Sequence, residues 1–243
     1  MKLGVLDWGI GGIDAWRRLT RALPGHDYVY VSDAGFTPYG KVAPALLCAR
    51  VQQLAERMAV DALVIACNAA STIIDELDLA IPVVGVIAPG IRLVEMLGIP
   101  TIGIMGGERT IAAGIHERAF TNAGRRVVAV ACQPLSAHVE AGRLDGPEVL
   151  RDLVPRLAEL GGVDATLLAC THYPALLPVL TRLAPTMRWL DPIDLLVHEC
   201  ATRWPLIDDR RGTSRVSTTG SPDAMRAASQ AAFGVALDIV NLL

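Results

Sequence analysis

Two short aliphatic runs with the same polar flanks punctuate the chain. Val60-Asp61-Ala62-Leu63-Val64-Ile65-Ala66-Cys67-Asn68 recurs as Val163-Asp164-Ala165-Thr166-Leu167-Leu168-Ala169-Cys170-Thr171, so Cys67 and Cys170 stand 103 positions apart. Each run is too short for a lone helix and carries branched residues, which predicts a buried parallel strand. The Cys then falls at the strand's carboxyl end, where open α/β sheets place their ligands. Further strands are predicted at Lys2–Leu6, Tyr28–Val31, Pro82–Val86, Thr101–Met105, Arg126–Ala131 and Trp189–Asp191. Apolar residues return at helical spacing between them, as at Leu47, Val51, Leu54 and Met58. Pro44, Pro89, Pro147, Pro174 and Pro222 each stand where a helix opens, and Pro24-Gly25 closes the first one near Leu23. Helices are also predicted over Asn68–Leu77, Thr110–Ala123 and Ile193–Trp204, with Gly212–Gly220 extended.

The pattern restarts at Gly98-Ile99-Pro100. Thr101–Met105 with Gly106-Gly107 echoes Lys2–Leu6 with the turn Asp7-Trp8-Gly9-Ile10-Gly11-Gly12, at an offset close to that between the two Cys. Internal repetition of this kind predicts an α/β protein of two similar Rossmann-like lobes with parallel sheets and the active site in the cleft between them. The first lobe is expected to comprise 1–95 plus 207–243 and the second 96–206, the C-terminal tail folding back onto the first lobe.

Composition narrows the function classes. The 243 residues are 52% hydrophobic but only 5% aromatic, which suits aliphatic strands and argues against disorder. The formal net charge is −3 and no basic block occurs, so nucleic acid is not an expected partner. No apolar run reaches membrane-spanning length and no signal-peptide order is seen, so the cytoplasm is the expected compartment and no membrane is expected as a partner. The only lysines, Lys2 and Lys41, leave Lys41 as the sole candidate for pyridoxal-phosphate chemistry. The five cysteines are scattered and form neither a disulfide framework nor a zinc spacing, and no metal site is expected. The glycine turn fails as a dinucleotide fingerprint because Asp14 occupies the third glycine's position; its glycines are expected instead to let backbone amides approach a small anion.

Two equivalent thiols facing one carbon from opposite sides can invert it. One thiolate removes a proton and the other thiol delivers one from behind. A free Cys has a pKa of about 8.5, so each thiol needs a helper to supply thiolate near neutral pH. Several motifs besides the two Cys strands carry polar chemistry. The loop Ser32–Lys41 includes Tyr39, which reads either as a phenolic donor to a ligand or as a packing aromatic. From the residues alone Asp7 can be read as a helix cap and Glu140 as a solvated charge.

Asp7-x-Gly-x-Gly-Gly, Pro38-Tyr39-Gly40, Ala66-Cys67-Asn68-Ala69-Ala70-Ser71, Gly85-Val86-Ile87-x-Pro89-Gly90, Val139-Glu140-x-Gly142 and Cys170-Thr171-His172-Tyr173-Pro174 together resemble the glutamate racemases of the aspartate/glutamate racemase superfamily. The resemblance covers essentially the whole chain. It implies a cofactor-independent amino-acid racemase that works by two-base proton transfer, as a homodimer. Carried over residue by residue, it makes Cys67 and Cys170 the bases, Asp7 the helper of Cys67, and Glu140 and His172 the helpers of Cys170. Tyr39, Gly40, Asn68 and Thr171 would contact a small amino acid or related carboxylic acid. For true glutamate racemases it also implies supply of D-glutamate for peptidoglycan.

The pocket departs from that pattern. Trp8 stands where family members carry Ser, Ala69 where they carry Thr, and Ala88 where Glu is usual. A hydrogen bond to a charged group contributes roughly 1.5–3 kcal/mol, so losing two hydroxyls at positions 8 and 69 is expected to weaken glutamate binding by about two to four orders of magnitude. The chain is thus expected to be a divergent racemase that prefers a smaller, less polar or differently charged acid. An isomerase or decarboxylase acting on another acid, and a non-catalytic ligand-binding protein with Trp8 in the pocket, are the competing expectations.

Overall fold

The computed structural model describes residues 1–206 and 210–243. The expected lobe boundary at 206–207 therefore runs into residues outside those described. The chain alternates strictly at first: β1 (Lys2–Asp7), α1 (Ile13–Ala22), β2 (Asp27–Ser32), α2 (Pro44–Met58), β3 (Ala62–Ile65), α3 (Asn68–Ser71), β4 (Val83–Gly85) and α4 (Ile87–Leu97). It continues with β5 (Thr101–Gly106), α5 (Glu108–Ala113), α6 (Ile115–Asn122), β6 (Arg126–Ala131), α7 (Gln133–Glu140), α8 (Pro147–Glu159), β7 (Ala165–Ala169), α9 (Leu177–Leu183), β8 (Arg188–Leu190) and α10 (Ile193–Arg203). β9 (Ser214–Thr218), α11 (Pro222–Phe233) and β10 (Asn241–Leu242) close the chain.

The strands form two sheets, ordered β10-β9-β2-β1-β3-β4 and β6-β5-β7-β8, and every pairing is parallel. This is the expected two-lobed α/β architecture. Parallel strands are covered on both faces, which is why β1, β3 and β7 read as continuous apolar runs. Along β1, Leu3 and Val5 face a core shared with Met105, Val130 and Leu168 of the second sheet, while Leu6 faces the opposite side with Leu63 and Ile65. A single hydrophobic cluster therefore joins the inner faces of the two sheets. α10 also packs across onto α1, where Arg18 bonds Asp191 and Asp194.

The topology decides where chemistry can sit. From β1 the chain moves to β2 on one side, then returns to β3 on the other, so the order reverses at the carboxyl ends of β1 and β3. The second sheet reverses the same way between β5 and β7. Crevices at such reversal points bind ligands. Asp7 ends β1, Cys67 follows β3 and Cys170 follows β7, so each thiol stands at the reversal point of its own sheet.

Several expected elements change. The helix expected over Thr110–Ala123 is broken at Gly114, whose φ of +62° ends α5 and starts α6. Glycine adopts that conformation at no steric cost, and the pause turns the chain. The helix expected over Asn68–Leu77 stops at Ser71, followed by a 3₁₀ turn over Ile74–Glu76. The Ser71 hydroxyl bonds the Ile65 carbonyl and the Val86 amide instead, tying α3 to the sheet. α4 begins at Ile87, two residues ahead of Pro89. The expected cap of α11 is present: Ser221 Oγ accepts from the Ala224 amide, Pro222 is the first helical residue and Gly234 closes the helix at φ +61°.

Candidate active site

A narrow cleft between the lobes is lined from the first sheet by Asp7, Trp8, Tyr39, Gly40, Cys67, Asn68 and Ala69, and from the second by Cys170, Thr171 and His172. Ten of the eleven singled-out residues thus converge on one cleft of about 40 Å³. The eleventh, Glu140, stands directly behind it: its Oε1 accepts from His172 Nε2 at 2.6 Å. Among the described residues no group of three or more His, Cys, Asp or Glu is placed to hold a metal ion.

The two thiols sit in unlike environments. Cys67 is 7% exposed, and burial pushes its thiol well above the ordinary value, with the Asp7 charge adding to the rise. The Ala70 and Trp8 amides work the other way, favouring the thiolate. Asp7 itself is fully buried, and burial raises its carboxyl above the usual range despite the nearby His172 charge and bonds from Thr171, Cys67 and the Trp8 amide. A buried carboxyl beside a buried thiol favours keeping both protonated, and makes each a proton donor.

Cys170 is less deeply buried and faces an imidazole. Its Sγ lies 3.7 Å from His172 Nδ1. Burial alone depresses the His172 imidazolium, but bonds and charges from Cys170 and Glu140 outweigh it and carry its pKa well above the ordinary value. The held imidazolium donates Nδ1–H toward the sulfur and Nε2–H to the carboxylate. The surroundings of the two thiols are therefore unlike: a buried carboxyl beside Cys67 and a raised imidazolium beside Cys170.

The glycine turn after β1 does a different job from the one expected. The Trp8 amide bonds Asp7 Oδ1 and the Ile10 amide bonds Glu140 Oε1, so both amides are taken by protein carboxylates. The glycines make room for the other lobe. A Cβ on Gly9 would overlap Glu140 Oε1, and one on Gly11 would sit 2.5 Å from Thr171 Oγ1 and 2.7 Å from His172 Nδ1.

Trp8 and Ala69, the two pocket positions that depart from the family pattern, both line the cleft. Trp8 lines the cleft, with its Nε1 donating to the Phe36 carbonyl at 3.0 Å and its ring 6.4 Å from the His172 imidazole. The Tyr39 hydroxyl is committed to Asp33 Oδ2 at 2.8 Å, within a cluster that includes Arg50 and Thr219, so the residue lines the cleft without offering a phenolic donor to it. Asn68 is 3% exposed, yet its Oδ1 and Nδ2 have no partner among the described residues. An unpartnered buried amide lining a cleft is a group awaiting a polar ligand.

The sequence reading missed Arg109, Gln133 and Ser136, which also line the cleft. For Arg109 the internal repeat held the signal, because the turn after β5 occupies the place that the Asp7–Gly12 turn occupies after β1. Gln133 and Ser136 lie on α7, a short helix whose apolar period is too brief to recognise.

Comparison with known proteins agrees with this geometry. Residues 28–235 match the Asp/Glu/Hydantoin racemase family model. Glutamate racemase of Gloeobacter violaceus is 34% identical over 218 residues, 84% of this chain and 81% of that one. Glutamate racemase of Thermus thermophilus is 31% identical over 239 residues, covering 94% of this chain and 91% of that one. A crystal structure of glutamate racemase from Thermus thermophilus in complex with β-chloro-D-alanine superposes with a TM-score of 0.86 at 30% identity, over 100% of this chain and 96% of that one. This chain belongs to the Asp/Glu/hydantoin racemase family and, like the glutamate racemases it resembles, is an isomerase.

Proposed function

We propose that the protein racemises an amino acid by proton transfer between Cys67 and Cys170, with a pocket altered away from glutamate. One observation carries this reading: two thiols on different sheets line one cleft, each backed by its own buried helper. In one direction the Cys170 thiolate, held by the His172 imidazolium, takes the α-proton. The electron pair left on carbon is then protonated from the opposite face by the Cys67 thiol. The carbon is inverted, and Cys67 is left as thiolate and Cys170 as thiol, the state needed for the reverse reaction. Asp7 beside Cys67 and the His172–Glu140 pair beside Cys170 return each sulfur to its starting state. The chemistry asks for no cofactor. Asn68 and Thr171 bind the polar end of the substrate.

The proposal on specificity rests on Trp8 and Ala69. Neither offers a hydroxyl, both line the cleft, and Trp8 puts a bulky side chain where the family carries a small one. The preferred substrate is therefore an amino acid with a side chain shorter than that of glutamate. A cytoplasmic homodimer that supplies a D-amino acid belongs to the same proposal; none of the described helices is long and apolar enough to cross a membrane.

Single L- and D-amino acids incubated with the protein in deuterium oxide provide the test. Deuterium entering the α-carbon, with net racemisation lost in both Cys67→Ser and Cys170→Ser, is the expected result. Turnover that survives either substitution overturns the two-thiol mechanism. No exchange with any acid, alongside binding of one of them, favours a ligand-binding role.

A further inference from the structure

Arg109 is the only lysine or arginine among the described residues that line the cleft. It sits in the first turn of α5, just past the reversal point of the second sheet, and it is half-buried. Its Nε donates to the Tyr39 carbonyl at 2.8 Å, and this is the one hydrogen bond its guanidinium makes among the described residues, with no carboxylate in ion-pair reach. The other guanidinium N–H groups are thus available. Burial lowers its pKa, opposed by the charge of Glu76 and, more weakly, that of Cys67. Gln133 belongs to the same lining and accepts from the neighbouring Glu108 amide at 3.1 Å. Arg109 also borders an outer groove, where Glu76, Glu108 and Arg118 line the wall beside it.

We infer that Arg109 is the specificity-determining cation of the cleft and holds an anionic group on the substrate's side chain. This rests on the racemase reading of the same site. The reacting carbon must stand between the thiols. The Tyr39–Gly40–Arg109 edge of the cleft then meets the side chain, away from the Asp7–Thr171 and His172–Glu140 contacts that surround the α-carbon. A guanidinium matches a carboxylate with two parallel N–H donors, a fit that a neutral amide side chain reproduces poorly. Together with the bulk of Trp8, this selects a short dicarboxylic amino acid of aspartate size. Arg109 replaces, from the other lobe, polar recognition that positions 8 and 69 no longer give.

The test compares aspartate with asparagine, and glutamate with glutamine, on the wild-type protein and on Arg109→Gln and Arg109→Lys. Binding is measured by calorimetry, and turnover by α-proton exchange. The wild type is expected to bind aspartate more tightly than asparagine. Arg109→Gln is expected to weaken aspartate roughly 10- to 100-fold, mainly in Kd and KM, while asparagine shifts less than about 3-fold. Arg109→Lys is expected to recover part of the loss. Equal losses for acid and amide overturn the proposal, because they mark a grip on the α-carboxylate or a merely structural bond to Tyr39. A wild type that does not favour acids over amides overturns it too. Calorimetry reads this outcome even if no amino acid exchanges its α-proton, a failure that would instead count against the racemase reading.

Discussion

Thr171, at the carboxyl end of the second sheet, donates its hydroxyl to Asp7 Oδ2, at the carboxyl end of the first, over 2.7 Å. The bond joins the two lobes through a carboxyl that is itself fully buried. It also competes for Asp7 with Cys67, so the proton balance of one thiol depends on a residue next to the other.

Thr171→Val removes that donor while keeping the shape of the side chain. A buried acceptor that loses its partner costs about 1–3 kcal/mol. The expected outcome is a lower melting temperature together with a fall in kcat, because Asp7 holds its proton more firmly without the hydroxyl. Thermal unfolding and steady-state kinetics on the same preparation check both.

Glu140→Gln separates charge from shape at His172. Glu140 helps to lift the imidazolium pKa well above the ordinary value of about 6.5. A raised pKa on a basic group adds stability that is fully present below the unfolded value and lost as pH rises through the folded value. The stability gap between wild type and Glu140→Gln is therefore expected to be largest near pH 6 and to close on the alkaline side. The activity profile should lose its basic limb at a lower pH in the variant, since the imidazolium beside Cys170 is given up sooner. Urea titrations and kcat across pH 5–10 read the two effects. A gap that widens with rising pH contradicts the assignment.

Gly9→Ala tests the fit between the lobes. Its methyl group would overlap Glu140 Oε1, and inserting bulk into a packed site costs typically about 1–3 kcal/mol. Because the displaced group is the His172 partner, the variant is expected to copy the pH profile of Glu140→Gln, not merely to lose stability. A profile identical to wild type shows that the turn has yielded elsewhere.

How much of this was legible beforehand differs between fold and site. The aliphatic strands declared themselves because parallel strands are covered on both faces, and the repeated Ala-Cys placed both thiols at strand ends. The break at Gly114 was not legible, since apolar spacing continues across it and only the left-handed φ marks the turn. Short α7 escaped because few of its residues repeat on one face, yet it carries Gln133, Ser136 and Glu140. The purpose of the β1 glycines was hidden for another reason. Their neighbours Glu140, Thr171 and His172 lie more than a hundred positions away, and no local pattern records a distant side chain.

Trp8→Ser combined with Ala69→Thr restores two hydroxyls to the cleft and removes the indole. The rise expected in kcat/KM for glutamate is at least about 10-fold, at one or two hydrogen bonds to charged groups. Competition between glutamate and aspartate in one exchange experiment measures it directly. No gain for glutamate removes Trp8 and Ala69 as the source of the altered pocket.

β9 and β10 occupy one edge of the first sheet, beside β2, although some 180 residues of chain lie between β2 and β9. During synthesis the second sheet has all its strands once residue 190 has left the ribosome, while the first still waits for β9 and β10. The N-terminal lobe, begun first, is thus completed after the second, and a nascent chain stalled before β9 emerges carries an exposed edge at β2 where a foreign strand can dock.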